Sequence, residues 1–266
     1  MLRELLLTID DSPSSETENL TDFLAERGIS AILFCRGDKL AENPESVINA
    51  VRKGFVIGNH AYSHTRFNTL TFEEGVREIE KTEKLIDQAY RKAKVTRPSK
   101  LFRFPYMDRG CGGRIVDYDA APEHRETLLR LFDDVVSVDL SPSSDDMKLK
   151  KRKWQEWLKQ NGFTPPLPSA GITHPWYAQT EMASAIDCMF TYSMSEWMLT
   201  ARHVGKWPYK TPDDLKRKID DDPWLKDGTG TGIVVAHDQE TLFPLVSSLV
   251  THMLHKGFTF SGNGVR

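Results

Sequence analysis

Cysteine is scarce, with 3 in 266 residues, at Cys35, Cys111 and Cys188. An odd number of widely separated thiols excludes a disulfide framework and suits a reducing compartment. Long hydrophobic runs are also missing. No stretch is apolar over the length a bilayer requires, which excludes a membrane-spanning helix. The residues around Arg3 and Glu4 hold too few leucines for the core of an export signal, so a cytoplasmic location is expected. Neither sign of charge dominates: 35 Lys and Arg stand against 38 Asp and Glu, a net charge of -3. No general basic field exists to hold nucleic acid or an anionic membrane, and the run Lys148 to Lys153 reads as a solvated helix face. Nothing in the composition bears on oligomeric state.

What is present is a repeated order of strand then helix. Leu5 to Ile9 is a short apolar run that stops on Asp10 and Asp11 and is closed by Ser12-Pro13, the pattern of a buried parallel strand. A helix capped by Ser14 or Ser15 runs to about Arg27, then come a strand at 29–35, a helix from Pro44 to Lys53 and a strand at 55–58. Thr71 with Glu74 forms a capping box for a long amphipathic helix. Strands follow at 101–104 and, after a helix at 123–132, at 135–138. The alternation breaks over about 141–230, which holds all 6 tryptophans and helix candidates at 182–203 and 212–220. It resumes with a strand at 232–236, a helix at 242–255 and a strand at 258–260. Such alternation implies parallel pairing with right-handed crossovers, hence an α/β barrel or doubly wound sheet. The whole chain, 1–266, is expected to be a single domain, with 141–230 a mainly helical elaboration lacking strands.

The polar residues that follow the strands are Asp10 and Asp11, His60 and His64, Arg103 with Tyr106, Asp139, and His237. In parallel α/β folds the C-terminal strand edge is where reacting groups collect. Two histidines and a carboxylate are a standard ligand set for a divalent metal such as zinc, with positions left for water and substrate. A second carboxylate beside that set could take a proton from water, and a histidine opposite could give one to a leaving group. Each piece also has a plainer meaning: Asp-Asp-Ser-Pro is good turn chemistry, His-x-x-x-His recurs in solvated loops, and a histidine after a buried strand is often bonded to backbone. His124, His174, His203, His252 and His255 lack strand-end placement and read as structural or exposed. Cys111 has no histidine beside it and reads as an inert loop thiol.

Together Thr8-Ile9-Asp10-Asp11, Asn59-His60-Ala61-Tyr62-Ser63-His64, Arg103-Phe104-Pro105-Tyr106 and Ile233-Val234-Val235-Ala236-His237-Asp238 resemble the successive motifs of the NodB-homology polysaccharide deacetylases, carbohydrate esterase family 4. The resemblance implies a distorted (β/α) barrel of seven strands and metal-dependent hydrolysis of N-acetyl groups on an amino sugar or its polymer. Carried across by position, it makes Asp10 the general base and Asp11, His60 and His64 the ligands of zinc, with cobalt or another divalent ion as alternatives. Arg103 would orient Asp10, the Tyr106 N–H would hold the oxyanion, and His237 would protonate the departing amine. Pro105, Tyr106 and Val235 would line the substrate pocket.

Three departures qualify it. Ala61 replaces a Ser or Thr whose hydroxyl could brace the metal loop. Val235 replaces a Leu and widens the acetyl pocket by about one methylene. The motif of an acid followed by tryptophan is blurred, leaving Asp139, Asp145 or Asp146 as the partner of His237 and a residue such as Trp176 as the tryptophan. The readings that remain are hydrolysis of another small linear or cyclic amide on the same fold, and glycan binding without turnover.

Overall fold

A computed structural model describes residues 3–112, 144–166, 171–174, 177, 180–227 and 231–260. At its centre is β1 (Arg3–Ser12), the apolar run that the sequence marks as a buried strand. On one side it pairs in parallel with β2 (Ala31–Cys35), which pairs with β3 (Val56–Asn59). On the other it pairs with β5 (Gly232–His237), which pairs with β4 (Tyr192–Ser193). β6 (Phe258–Phe260) pairs with the start of β1.

The sheet curls until its two ends meet. The outer edge of β3 takes up residues 101–103, with Asn59 N–H donating to Leu101 O at 2.8 Å and Arg103 N–H to Asn59 O at 3.0 Å. From the other end, the extended stretch before β4 reaches the same segment, where Cys188 N–H donates to Phe102 O at 2.7 Å. The ring of strands thus closes through a narrow seam at Phe102 and Cys188, which is the distortion of a distorted (β/α) barrel. The predicted helix at 123–132 and strand at 135–138 lie outside the described residues.

Alternation along each strand sorts side chains between two cores. Leu6, Ile32, Phe34, Val56, Ile233 and Val235 point inward with Leu101, Phe190 and Met182. Leu5, Leu7, Ile9, Leu33, Ile57, Val234 and Ala236 point outward under α1 (Thr17–Ala25), α3 (Pro44–Arg52), α4 (Phe72–Ala93), α6 (Pro212–Asp221) and α8 (Phe243–His255). Two short helices, α2 (Gly37–Glu42) and α7 (Pro223–Asp227), complete this layer. Gly58 follows the inward parity of Val56, and a Cβ there would sit 2.6 Å from the Phe34 ring. A third cluster of Phe67, Phe102, Phe104 and Phe163 packs against Trp154 of α5 (Asp145–Gln160). The capping box of Thr71 and Glu74 forms as read, as do the helices from Pro44 and Pro212.

The helix expected at 182–203 does not form. Single turns at Glu181–Ser184 and Glu196–Leu199 flank β4, and Thr191 N–H donates to Ile233 O at 2.8 Å. The insertion therefore does contribute a strand, contrary to the sequence expectation, because pairing with β5 outweighs local helical spacing. Leu33 is fully buried. Leu33→Ala should lower the unfolding free energy by about 3 kcal/mol, read as a lower urea midpoint with an unchanged slope.

Candidate active site

The inward parity that buries Leu6 also turns Thr8 and Asp10 into the barrel, and on β5 it does the same for Val235 and His237. Register then sets them side by side, Thr8 against Val235 and Asp10 against His237. At and beyond the strand ends the backbone twists sharply: Asp11, in the last residues of β1, and Ala61, His64, Tyr106, Met107 and Arg109 all have φ between 51° and 67°. That left-handed region is disfavoured for residues with a Cβ, and its concentration here marks a site held in place by its surroundings. Asp10, Asp11, His60, His64, Tyr106, Val235 and His237 all line one cavity of about 330 Å³.

Arg103 is 1 % exposed. Its guanidinium donates to Asp10 Oδ1 at 2.7 Å, Thr8 Oγ1 at 2.9 Å and the Cys188 carbonyl at 2.9 Å, and lies over the Phe34 ring at 4.4 Å. Burial opposes its charge, but the Asp10 carboxylate more than offsets this and the guanidinium pKa is raised. Its own carbonyl accepts the Nδ1–H of His60 at 2.8 Å. That bond fixes the tautomer and leaves His60 Nε2 as the free ligand atom.

Ligand atoms of Asp11, His60 and His64 all lie within 4.8 Å of one another. Asp11 Oδ2 accepts from Gln239 at 2.7 Å, while Oδ1 is buried without a hydrogen-bond donor among the described residues and lies 3.2 Å from His64 Nε2. Burial alone would raise the Asp11 pKa, yet His64, His237 and His60 around it hold it well below the usual carboxylate range. Burial pushes His64 down to about 4, so its ring is neutral at pH 7. An orphaned carboxylate oxygen facing two neutral or tautomer-fixed imidazoles is a donor set that fits a divalent ion.

The loop carrying both histidines is braced without the hydroxyl that Ala61 lacks. Asn59 Oδ1 accepts from Ala61 N–H at 2.8 Å, and its amide donates to Ile79 O and Glu83. Glu78 of α4 accepts the N–H groups of Tyr62 at 3.1 Å and Ser63 at 2.6 Å. The Tyr106 ring packs at a 56° tilt against His64, centroids 4.5 Å apart, and its backbone N–H has no acceptor among the described residues.

His237 has a partner that the sequence reading did not name. Its Nδ1 lies 2.9 Å from Glu196 Oε1, and Glu196 is fully buried. Burial disfavours charge on the ring, but the Glu196 carboxylate outweighs it and lifts His237 to about 9. Asp145 and Asp146, offered as that partner, are instead exposed in the first turn of α5. Asp139 and Trp176 lie outside the described residues. The signal was nonetheless in the sequence: Glu196-Trp197 is itself an acid followed by tryptophan, and Trp197 lines the cavity with Trp207. His203, read as structural or exposed, also lines it. Cys111 is buried, its thiol pushed up to about 11, in keeping with an inert loop thiol.

Among the described residues no helix is long and apolar enough to cross a membrane. A sequence model of the polysaccharide deacetylase family matches residues 3–110. A chitin deacetylase of Colletotrichum lindemuthianum is 31% identical over 114 residues, 40% of this chain and 44% of that protein. A peptidoglycan-N-acetylglucosamine deacetylase of Bacillus cereus is 34% identical over 86 residues, 32% of this chain and 31% of that one. The matched stretch thus spans less than half of either relative. Among solved structures, a family 4 carbohydrate esterase from Streptomyces lividans superposes with a TM-score of 0.56 at 17% identity, over 97% of this chain and 92% of that one. At that identity the likeness speaks for the fold.

If Glu78 holds the histidine loop in shape, Glu78→Ala should weaken affinity for zinc about 10- to 100-fold, measured by competition with a chromogenic chelator.

Proposed function

We propose that this chain is a metal-dependent hydrolase that removes N-acetyl groups from an amino sugar or amino-sugar polymer, a reading supported by the match of residues 3–110 to the polysaccharide deacetylase family. The observation that carries the reading is the division of labour between adjacent carboxylates. Asp11 sits with His60 and His64, while Asp10 sits on Arg103 with Oδ2 3.8 Å from His60 Nε2.

Asp11, His60 and His64 would hold the ion, taken to be zinc. When bound, it supplies Lewis acidity, polarising the amide carbonyl and acidifying a water. Asp10, oriented by the Arg103 guanidinium 2.7 Å from its Oδ1, takes the proton of the attacking water. The Tyr106 N–H donates to the oxygen on which negative charge develops. His237, charged at neutral pH through Glu196, donates its Nε2 proton to the departing nitrogen, which turns a poor leaving group into an amine. Val235, paired beside Thr8, lines the cavity and would border the space for the acyl methyl, whereas Pro105 is not among the residues that line that cavity. Glu196 acts through His237 and is a positioning residue. Cys35, Cys111 and Cys188 are buried and none is in a disulfide, which supports a reducing compartment, in line with a cytoplasmic protein of one domain.

The two carboxylates should not be interchangeable. Asp10→Asn should keep zinc yet release no acetate from N-acetylglucosamine oligomers, whereas Asp11→Asn should lose zinc, both measured by metal analysis beside an acetate assay. Wild type that releases acetate from no amino-sugar substrate but hydrolyses a small linear or cyclic amide would overturn the sugar assignment, and glycan binding without any turnover would overturn hydrolysis altogether. The acid also predicts the alkaline side of the pH profile. His237 is protonated below its raised pKa of about 9 and loses the proton as pH rises through it, so kcat should fall there. Glu196→Gln removes the main lifting charge, and the fall should move to lower pH by about one unit or more.

A further inference from the structure

We infer that the amino sugar taken by this site carries an anionic substituent, a carboxylate or a phosphate, and that Arg66 and Arg202 receive it. The inference rests on the deacetylase reading of the same cavity and narrows its substrate class.

The chain as a whole is slightly acidic, at a net charge of -3, yet three arginines line the cavity, Arg36, Arg66 and Arg202. Among the described residues the acids lining it are Asp10 and Asp11, and both are engaged, Asp10 by Arg103 and Asp11 by Gln239 and the histidines. Arg36 is neutralised by Asp38, which it meets at 2.6 Å and 3.1 Å. The other two arginines have no carboxylate within ion-pair distance among the described residues. The Arg66 guanidinium carbon lies over the Tyr106 ring, 4.2 Å from its centroid, and that ring packs at a 56° tilt against His64. Asp108, on the neighbouring loop, is fully buried and spends Oδ1 on the N–H groups of Asn68 at 2.7 Å and Gly110 at 2.9 Å. A guanidinium over an aromatic ring with no carboxylate in ion-pair distance has N–H donors to offer, and its fork of donors matches the two oxygens of a carboxylate or phosphate.

Arg202 stands on the other side of β1, three residues beyond the Glu196–Leu199 turn that carries Trp197. No acid lies among its neighbours Ala201 and His203 to Trp207 in sequence, and Lys206 adds a second cation, so no carboxylate close in sequence offsets it. Two arginines without an ion pair among the described residues, Arg66 with only the longer-range charge of buried Asp108 acting on it, thus line the same cavity as Trp197 and Trp207, whose ring centroids are 5.2 Å apart. A neutral sugar would leave both guanidiniums without a partner. A sugar acid or sugar phosphate, with its ring against the tryptophans, supplies one.

Three probes separate the possibilities: N-acetylglucosamine, N-acetylmuramic acid and N-acetylglucosamine 1-phosphate. Titrated into zinc-free wild-type protein, at least one of the charged sugars should bind about tenfold or more tightly than the neutral one. Which of the two does so distinguishes carboxylate from phosphate. The advantage should shrink as salt is raised from about 20 to about 300 mM and disappear in the Arg66→Gln, Arg202→Gln double variant. Lys84→Gln, an exposed cation on α4 away from the cavity, should leave it unchanged. Equal binding of all three sugars, or an advantage that survives the double substitution, overturns the inference. The deacetylase reading fails separately, if the zinc-loaded wild type releases acetate from none of them or their oligomers.

Discussion

One buried cation holds this site together. Arg103 reaches four parts of the fold at once: its N–H pairs with β3, its carbonyl sets the His60 ring, and its guanidinium binds Asp10 and Thr8 on β1 and the carbonyl of Cys188 at the barrel seam. Stripping water from a guanidinium is costly, and the cost is offset here by a fully satisfied set of acceptors and the Asp10 charge. The same bonds that close the seam therefore aim Asp10, the proposed base, and orient His60, a proposed metal ligand. Barrel closure and active-site geometry cannot vary independently, and a change of shape at residue 188 is felt at residue 10.

Around that cation the backbone itself is committed. Residues with a Cβ adopt left-handed conformations at Asp11, Ala61, His64 and Tyr106, each at or beside a group proposed to act. Such conformations persist only when neighbours over-determine them. Asn59 and Glu78 do so for the histidine loop, and the salt bridge of Arg109 with Asp187, at 3.0 Å, ties the loop after Tyr106 to the insertion. The arrangement is one in which donors and acceptors are aimed before substrate arrives.

Most of the floor of the site was legible because it is written in short-range signals. A buried strand reads as an apolar run, its end as the first charge, and parity then decides which charges face inward. Asp10, His60, Arg103 and His237 follow from that logic. Glu196 did not, although Glu196-Trp197 has the expected form, because its segment has the apolar density of a helix and becomes extended only through pairing with a strand 40 residues later. Glu78 was invisible for another reason: an acid on the exposed side of a long helix looks like any solvated residue until the loop it caps is seen folded against it. The expectation of Asp145 or Asp146 beside His237 failed because proximity in the motif order is not proximity in space.

The pairing of β1 has a consequence for how the molecule is made. Its partners on one side, β2 and β3, emerge from the ribosome soon after it, but Thr8 bonds Val234 across a separation of 226 residues. A nascent chain exposing only its first hundred or so residues already owns both histidines, both aspartates and Arg103, yet one edge of its central strand is bare and half of the cavity wall does not exist. Contacts so distant in sequence form late, since loop closure must come before they contribute. The residues proposed to hold an ion are thus made well before the one proposed to protonate a leaving nitrogen, and on that proposal the growing chain acquires its metal ligands before it acquires the means to use the metal.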